Sequence, residues 1–144
     1  MTHLLVQQPN NKVHLTVLSG EMSLTDYAAK FLVDKVYETI ADTNTLPHLD
    51  YFDAWRWAGA GQSVSVDTTN AKEIANDLVR NHTLQAVKHA TQLEALGESA
   101  NYTSTNIKSA YTTVKSTISS AADYDAVKTA VDNFRATHPI PVST

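Results

Sequence analysis

The run TTNAKEIANDLVRNHTLQAVKHATQLEAL, from Thr68 to Leu96, decides how this chain reads. It contains neither glycine nor proline. Ala71, Ile74, Leu78, Gln85, His89, Leu93 and Leu96 recur in three- and four-residue steps and their sum, which predicts one amphipathic helix face. A helix of that length spans about 40 Å. Asp67 stands where an N-cap belongs, Glu73 lies near the first turn where the helix dipole favours negative charge, and Gly97 is the natural C-cap.

The pattern continues downstream. Ile107, Ala110, Tyr111, Val114 and Ile118 predict a second helix, and Val127, Val131 and Phe134 a third and shorter one, with Ser120 and Asp123 before it. His138-Pro139-Ile140-Pro141 ends the fold, and the last residues are expected to fray. Upstream the signals change to β. Leu4 to Gln8 and Lys12 to Leu18 flank Pro9-Asn10-Asn11, a turn cluster tolerant of positive φ, so a hairpin is expected. Val13, Leu15 and Val17 alternate with His14 and Thr16 as in a half-buried strand. Ser23 is a capping residue with Asp26 three positions on, which predicts a short helix over about 24–30. Lys35 to Ile40 favours strand, Ala41 to Leu49 reads as loop, and Val64 to Val66 as a short strand.

These elements define an α+β chain. A small β-rich N-terminal part with one short helix, residues 1–66, includes the aromatic segment 51–57. A long antiparallel α-helical hairpin with a short C-terminal helix, residues 67–144, follows. Such a hairpin is longer than a core of this size is wide, so part of it is expected to protrude or to lie on a partner. Serine and threonine supply 29 of the 144 residues. Threonine lowers helix propensity by a few tenths of a kcal/mol, so helices this rich in it must be held by packing.

Composition narrows the function classes. A net charge of −4 and a pI near 5.8 oppose a nucleic-acid binder, whose footprint is usually a basic patch. No apolar run approaches the roughly 20 residues of a membrane span, and the first residues lack a signal peptide's basic start and cleavage site. Without that signal, Asn81-His82-Thr83 and Asn101-Tyr102-Thr103 read as chance glycosylation sequons. The absence of cysteine excludes disulfides, thiolate metal sites and a cysteine nucleophile. Four glycines form no dinucleotide or Walker pattern, and Gly61-Gln62-Ser63 lacks the second glycine of a nucleophile elbow. The acidic pairs Asp50/Asp53 and Asp123/Asp125 lie in no apolar stretch that would raise a pKa. His82 and His89 are two helical turns apart, too far for one zinc ion, and His3 and His14 could meet only across the hairpin. The chain therefore reads as a non-enzyme with no catalytic, cofactor-binding or metal-binding residue.

One constellation rises above background. Tyr51-Phe52-Asp53-Ala54-Trp55-Arg56-Trp57 holds both tryptophans. Phe52 and Trp55 are expected in a core between the β part and the hairpin. If the stretch is extended, Tyr51 and Trp57 alternate away from a Phe52-anchored face, so one of the two is expected to be exposed, and an exposed ring beside Arg56 has the composition of a binding hot spot. Tyr51, Trp55, Arg56 and Trp57 are thus the candidate partner-binding residues.

Taken in order, Gly20-Glu21, Ala28-Ala29-Lys30, Tyr37-Glu38-Thr39-Ile40, the acidic loop from Asp42 to Pro47, Phe52-Asp53-Ala54-Trp55, Val64-Ser65-Val66-Asp67, Ala71-Lys72-Glu73-Ile74 and Ala126-Val127-Lys128-Thr129-Ala130-Val131 form a collinear series. The series resembles a family of small bacteriophage proteins encoded among tail and tail-fibre genes. Members often carry an Arg-rich long helix and a Trp-Pro near the end. Here the helix has Thr and His instead, and Phe134 and Pro139 stand near the end. The resemblance implies a virion structural protein of the tail, associated with the tail fibre or baseplate and acting by protein–protein binding. It implies location in the virion and, during assembly, in the host cytoplasm. The partners would be other tail proteins, with a second copy of the chain as a further one, and neither nucleic acid nor membrane. A tail-fibre assembly chaperone and a small receptor- or carbohydrate-binding module, with Trp55 or Trp57 stacking on a sugar, are the rival readings.

Overall fold

A computed structural model describes residues 2–141. The fraying expected of the last residues lies outside them. The fold is α+β, a small antiparallel sheet followed by three helices. It forms two compact units that divide between Asp67 and Thr68.

In the first unit, β1 (Thr2–Gln7) and β2 (Val13–Leu18) form the expected hairpin, with Leu5 opposite Leu15. Asn10 and Asn11 take φ of 62° and 59° in the connecting 3-10 turn, a left-handed conformation that asparagine accepts more readily than most residues. The helix α1 (Leu24–Phe31) starts where Ser23 Oγ accepts from the Asp26 N–H at 3.1 Å. β3 (Tyr37–Ile40) then pairs antiparallel with β1, giving the order β2-β1-β3.

Because β1 is central and covered on both faces, three successive residues are buried. Leu4 and Val6 pack with Leu32 and α1, whereas Leu5 on the opposite face packs with Val13, Trp55 and Trp57. The edge strand β2 is different. Val13 is buried and Leu15 half-buried, but Val17, expected on the same covered face, is 46% exposed. The aromatic core does not reach that end of the strand.

In the second unit, α2 (Thr68–Ala95), α3 (Ser104–Ser120) and α4 (Tyr124–Thr137) all pack on one another. The expected slender hairpin is therefore a three-helix unit, because the short last helix covers both others. Two side chains of α2 tie it to the ends of α3. Lys72 Nζ donates to the Ser119 carbonyl at 2.9 Å, and Glu94 accepts from the Ser104 N–H and hydroxyl. A cation thus sits at the C-terminus of α3 and an anion at its N-terminus, as the helix dipole favours.

The buried stripe of α2 is Ala71, Ala75, Val79, Thr83, Ala86 and Ala90. Ile74, Leu78, His89 and Leu93, expected at its centre, flank it half-buried, and Leu96 is 73% exposed. Small residues face the neighbouring helices because they let the backbones approach. Hydroxyls on the helices bond back to the carbonyl four residues earlier, as Thr83 does to Val79 at 2.7 Å and Thr117 to Thr113 at 3.2 Å. This satisfies a threonine inside a packed helix without a tertiary partner. Gly97, with φ of 74°, closes α2: its N–H reaches the Glu94 carbonyl and that of Glu98 the Leu93 carbonyl, the paired bonds of a Schellman motif.

Candidate functional site

The aromatic segment is not extended along its length. Leu49–Ala54 is a 3-10 turn capped by the His48 ring, and only at Trp55 does the chain become a strand, β4 (Trp55–Arg56), paired with β5 (Ser65–Val66). Trp55 and Trp57, two residues apart in extended backbone, share a face, and the turn breaks the alternation before them so that Phe52 packs on the same side. Both tryptophans are fully buried against Leu5 and Val13, with Leu15, Ile40, Leu46, Phe52, Val64 and Val66 around them. Their indole N–H groups are engaged as well: Trp55 Nε1 donates to the His48 carbonyl at 3.4 Å and Trp57 Nε1 to the Gln62 carbonyl at 3.0 Å.

The expected hot spot is therefore corrected. Tyr51 and Trp57 are both buried, and neither they nor Trp55 can act as an exposed anchor or stack on a sugar. Arg56 is half-buried and bent back onto its own turn, with Nη1 donating to the carbonyls of Asp53 and Trp55. Packing against the sheet makes this segment the core of the first unit.

Exposed apolar surface lies elsewhere, on the connection from α1 to β3. Phe31 is 52% and Val33 63% exposed, and Val36 and Tyr37 are also open. The Phe31 ring rests on Tyr27 at 4.9 Å, with Lys30 Nζ 5.3 Å from its centroid. Asp34, with φ of 61°, and a bond from the Lys35 N–H to the Leu32 carbonyl make the turn tight. Only Leu32 of this stretch turns inward. Sequence reasoning missed the patch, because helix and strand signals each account for their half of it. The one available signal was an apolar trio, Phe31-Leu32-Val33, running past the end of a short helix.

Chemically reactive arrangements are sparse among the described residues. An open groove of about 560 Å³ beside the sheet is lined by Thr2, His3, Leu24, Thr39 and Asp42 among others, but Asp42 Oδ1 already accepts from the Asn44 N–H. His3 lies opposite Val17 and His14 opposite Val6, positions whose side chains point to opposite sheet faces. No group of three or more metal-ligating side chains gathers among the described residues.

Two histidines of the second unit, His82 and His138, are structural. His82 Nε2 contacts the His138 carbonyl at 2.6 Å, and His138 Nδ1 contacts the Phe134 carbonyl at 2.8 Å. Carbonyls only accept, so these ring nitrogens carry the protons. The Tyr102 hydroxyl donates to the Pro139 carbonyl, the Tyr102 ring meets His138 edge-on, and the Phe134 ring lies tilted against it. Burial holds the His82 pKa below the usual value despite the bond to His138, and nearby Arg135 and His138 push it the same way as burial. Burial likewise raises the Tyr102 hydroxyl.

No protein-family model matches the sequence, and no curated protein or solved structure is similar to it at a significant level.

Proposed function

We propose that this chain is a binding component of a phage tail, associated with the fibre or baseplate, and that it works by holding another tail protein rather than by catalysis. The order of its sequence motifs supports the phage setting. The observation that carries the binding role is the run of exposed apolar residues leading into β3, namely Phe31, Val33, Val36 and Tyr37, the last two on opposite faces of the sheet. Beyond this patch runs an open sheet edge. The Gln7 N–H bonds to the Val36 carbonyl, which turns residues 36, 38 and 40 toward β1 and leaves the backbone groups of Tyr37 and Thr39 facing outward. An extended partner segment can add to such an edge and set its alternating side chains beside Val36 on one face and Tyr37 on the other.

The test pairs particles with co-purification. Mass spectrometry of purified virions should find the chain in fixed ratio to the fibre or baseplate proteins. Co-expressed with them it should co-purify with one, and Val33→Asp should abolish that while leaving the circular dichroism spectrum unchanged. Absence from virions combined with a requirement for fibre assembly would favour the assembly chaperone. Absence from virions with no co-purifying tail protein would refute both.

A further inference from the structure

The opposite edge of the sheet offers a second surface, with a chemistry that selects its own occupant. The Gln8 N–H bonds to the Lys12 carbonyl at 2.7 Å, which fixes the phase of the β1–β2 ladder. His14, Thr16 and Leu18 then direct their backbone groups at β1, and Val13, Leu15 and Val17 direct theirs outward. No hydrogen bond from another described segment reaches those outward groups. The strand also lacks the usual protection of an edge: it has no proline, its register is unbroken, and no charged side chain falls within Val13–Leu18.

We infer that β2 pairs antiparallel with β2 of a second copy of this chain about a two-fold axis at Leu15, joining two three-stranded sheets into one of six strands. An antiparallel pair must match outward-facing residues with outward-facing residues. Centred on Leu15, this register uses all three on each copy and forms about six backbone hydrogen bonds, two for each opposed pair. It sets Leu15 against Leu15, Val13 against Val17, and His14 against Thr16, with Lys12 facing Leu18. Apolar meets apolar on one sheet face, His14 meets Thr16 on the other with the Lys12–Leu18 pairs at its ends, and no like charges are opposed. The 46% exposed Val17 gains an apolar neighbour that its own unit does not supply.

The β3 edge fails the same test. Matching Tyr37 with Thr39 on both copies sets Glu38 directly against Glu38, a repulsive pair. The isologous contact therefore belongs to β2, leaving β3 for a different partner. This inference does not rest on the tail assignment, and either can fail alone.

Two measurements on the full chain test it. Sedimentation equilibrium should show a monomer–dimer equilibrium, and Val17→Lys, at an exposed position, should weaken it at least tenfold without altering the circular dichroism spectrum. The chain has no cysteine, so single cysteines report register cleanly. Leu15→Cys should form a covalent dimer on mild oxidation, since Cα atoms of a hydrogen-bonded antiparallel pair lie about 5.5 Å apart, within disulfide reach, whereas Thr39→Cys should not. A chain monomeric at every concentration overturns the inference. So does a dimer that is indifferent to Val17→Lys and yields no Leu15→Cys cross-link.

Discussion

Replacing Trp57 with alanine removes the largest kind of side chain from the centre of the first unit. The ring is fully buried and touches a core of Leu5, Val13 and Trp55. Two effects compete for the magnitude. The lost bond to the Gln62 carbonyl adds little, because Gln62 is exposed and its carbonyl can turn to water. The cavity dominates, and truncations of this kind cost about 3–5 kcal/mol. Whole domains are stable by only about 5–15 kcal/mol, with small ones near the lower end. At a urea slope of about 1 kcal/mol per M, the midpoint of the first unit should fall by about 3–5 M, and the unit approaches unfolding in plain buffer. Both tryptophans lie in this unit, so the remaining Trp55 fluorescence follows its transition without interference from the helices. Trp57→Phe keeps most of the apolar volume and should recover more than half of the loss. A shift below about 1 kcal/mol in Trp57→Ala would mean that the ring is not enclosed, and the exposed-anchor reading would return.

Three further outcomes follow from local geometry. Gly97→Ala should cost about 1 kcal/mol in the helical transition, because φ of 74° strains an L side chain although nothing crowds the site, and Gly97→Asn should cost less. Asp123→Ala should cost about 1 kcal/mol by removing the acceptor of the Ala126 N–H, with Asp123→Ser close to wild type in thermal denaturation. The third concerns pH. Since burial lowers the His82 pKa, the unfolded chain binds its proton more readily than the folded one. The stability contributed by neutral His82 is complete above the usual value of 6.5 and is lost as pH falls through the folded value. Urea midpoints of wild type should therefore drop with acidification in that window, and His82→Gln should show a shallower slope. An identical slope would exonerate His82.

The corrections share a cause. Nothing within the aromatic segment announces that a 3-10 turn occupies residues 49–54, yet that turn sets which way Trp57 points. The candidate site was read from composition, which marked the right residues as important and assigned them to the wrong side of the surface. Packing against β1 turned the tryptophans inward, leaving Phe31 and Val33 uncovered beside a shorter and blander stretch.

Sequence alone determined the features whose causes lie within a few residues. Ser23 starts a helix through a bond three positions away, Gly97 ends one, and the asparagines after Pro9 turn the hairpin; Ser120, expected in a capping box with Asp123, instead ends α3, and Asp123 alone caps α4. Tertiary structure decided what depends on neighbours distant in the chain. The central position of β1 buries Leu4, Leu5 and Val6 together, α4 turns a hairpin into a three-helix unit, and close helix approach selects the alanine stripe of α2 over Ile74 and Leu78. Caps and turns are satisfied by their own segment. A face becomes inside or outside only when another element arrives to cover it.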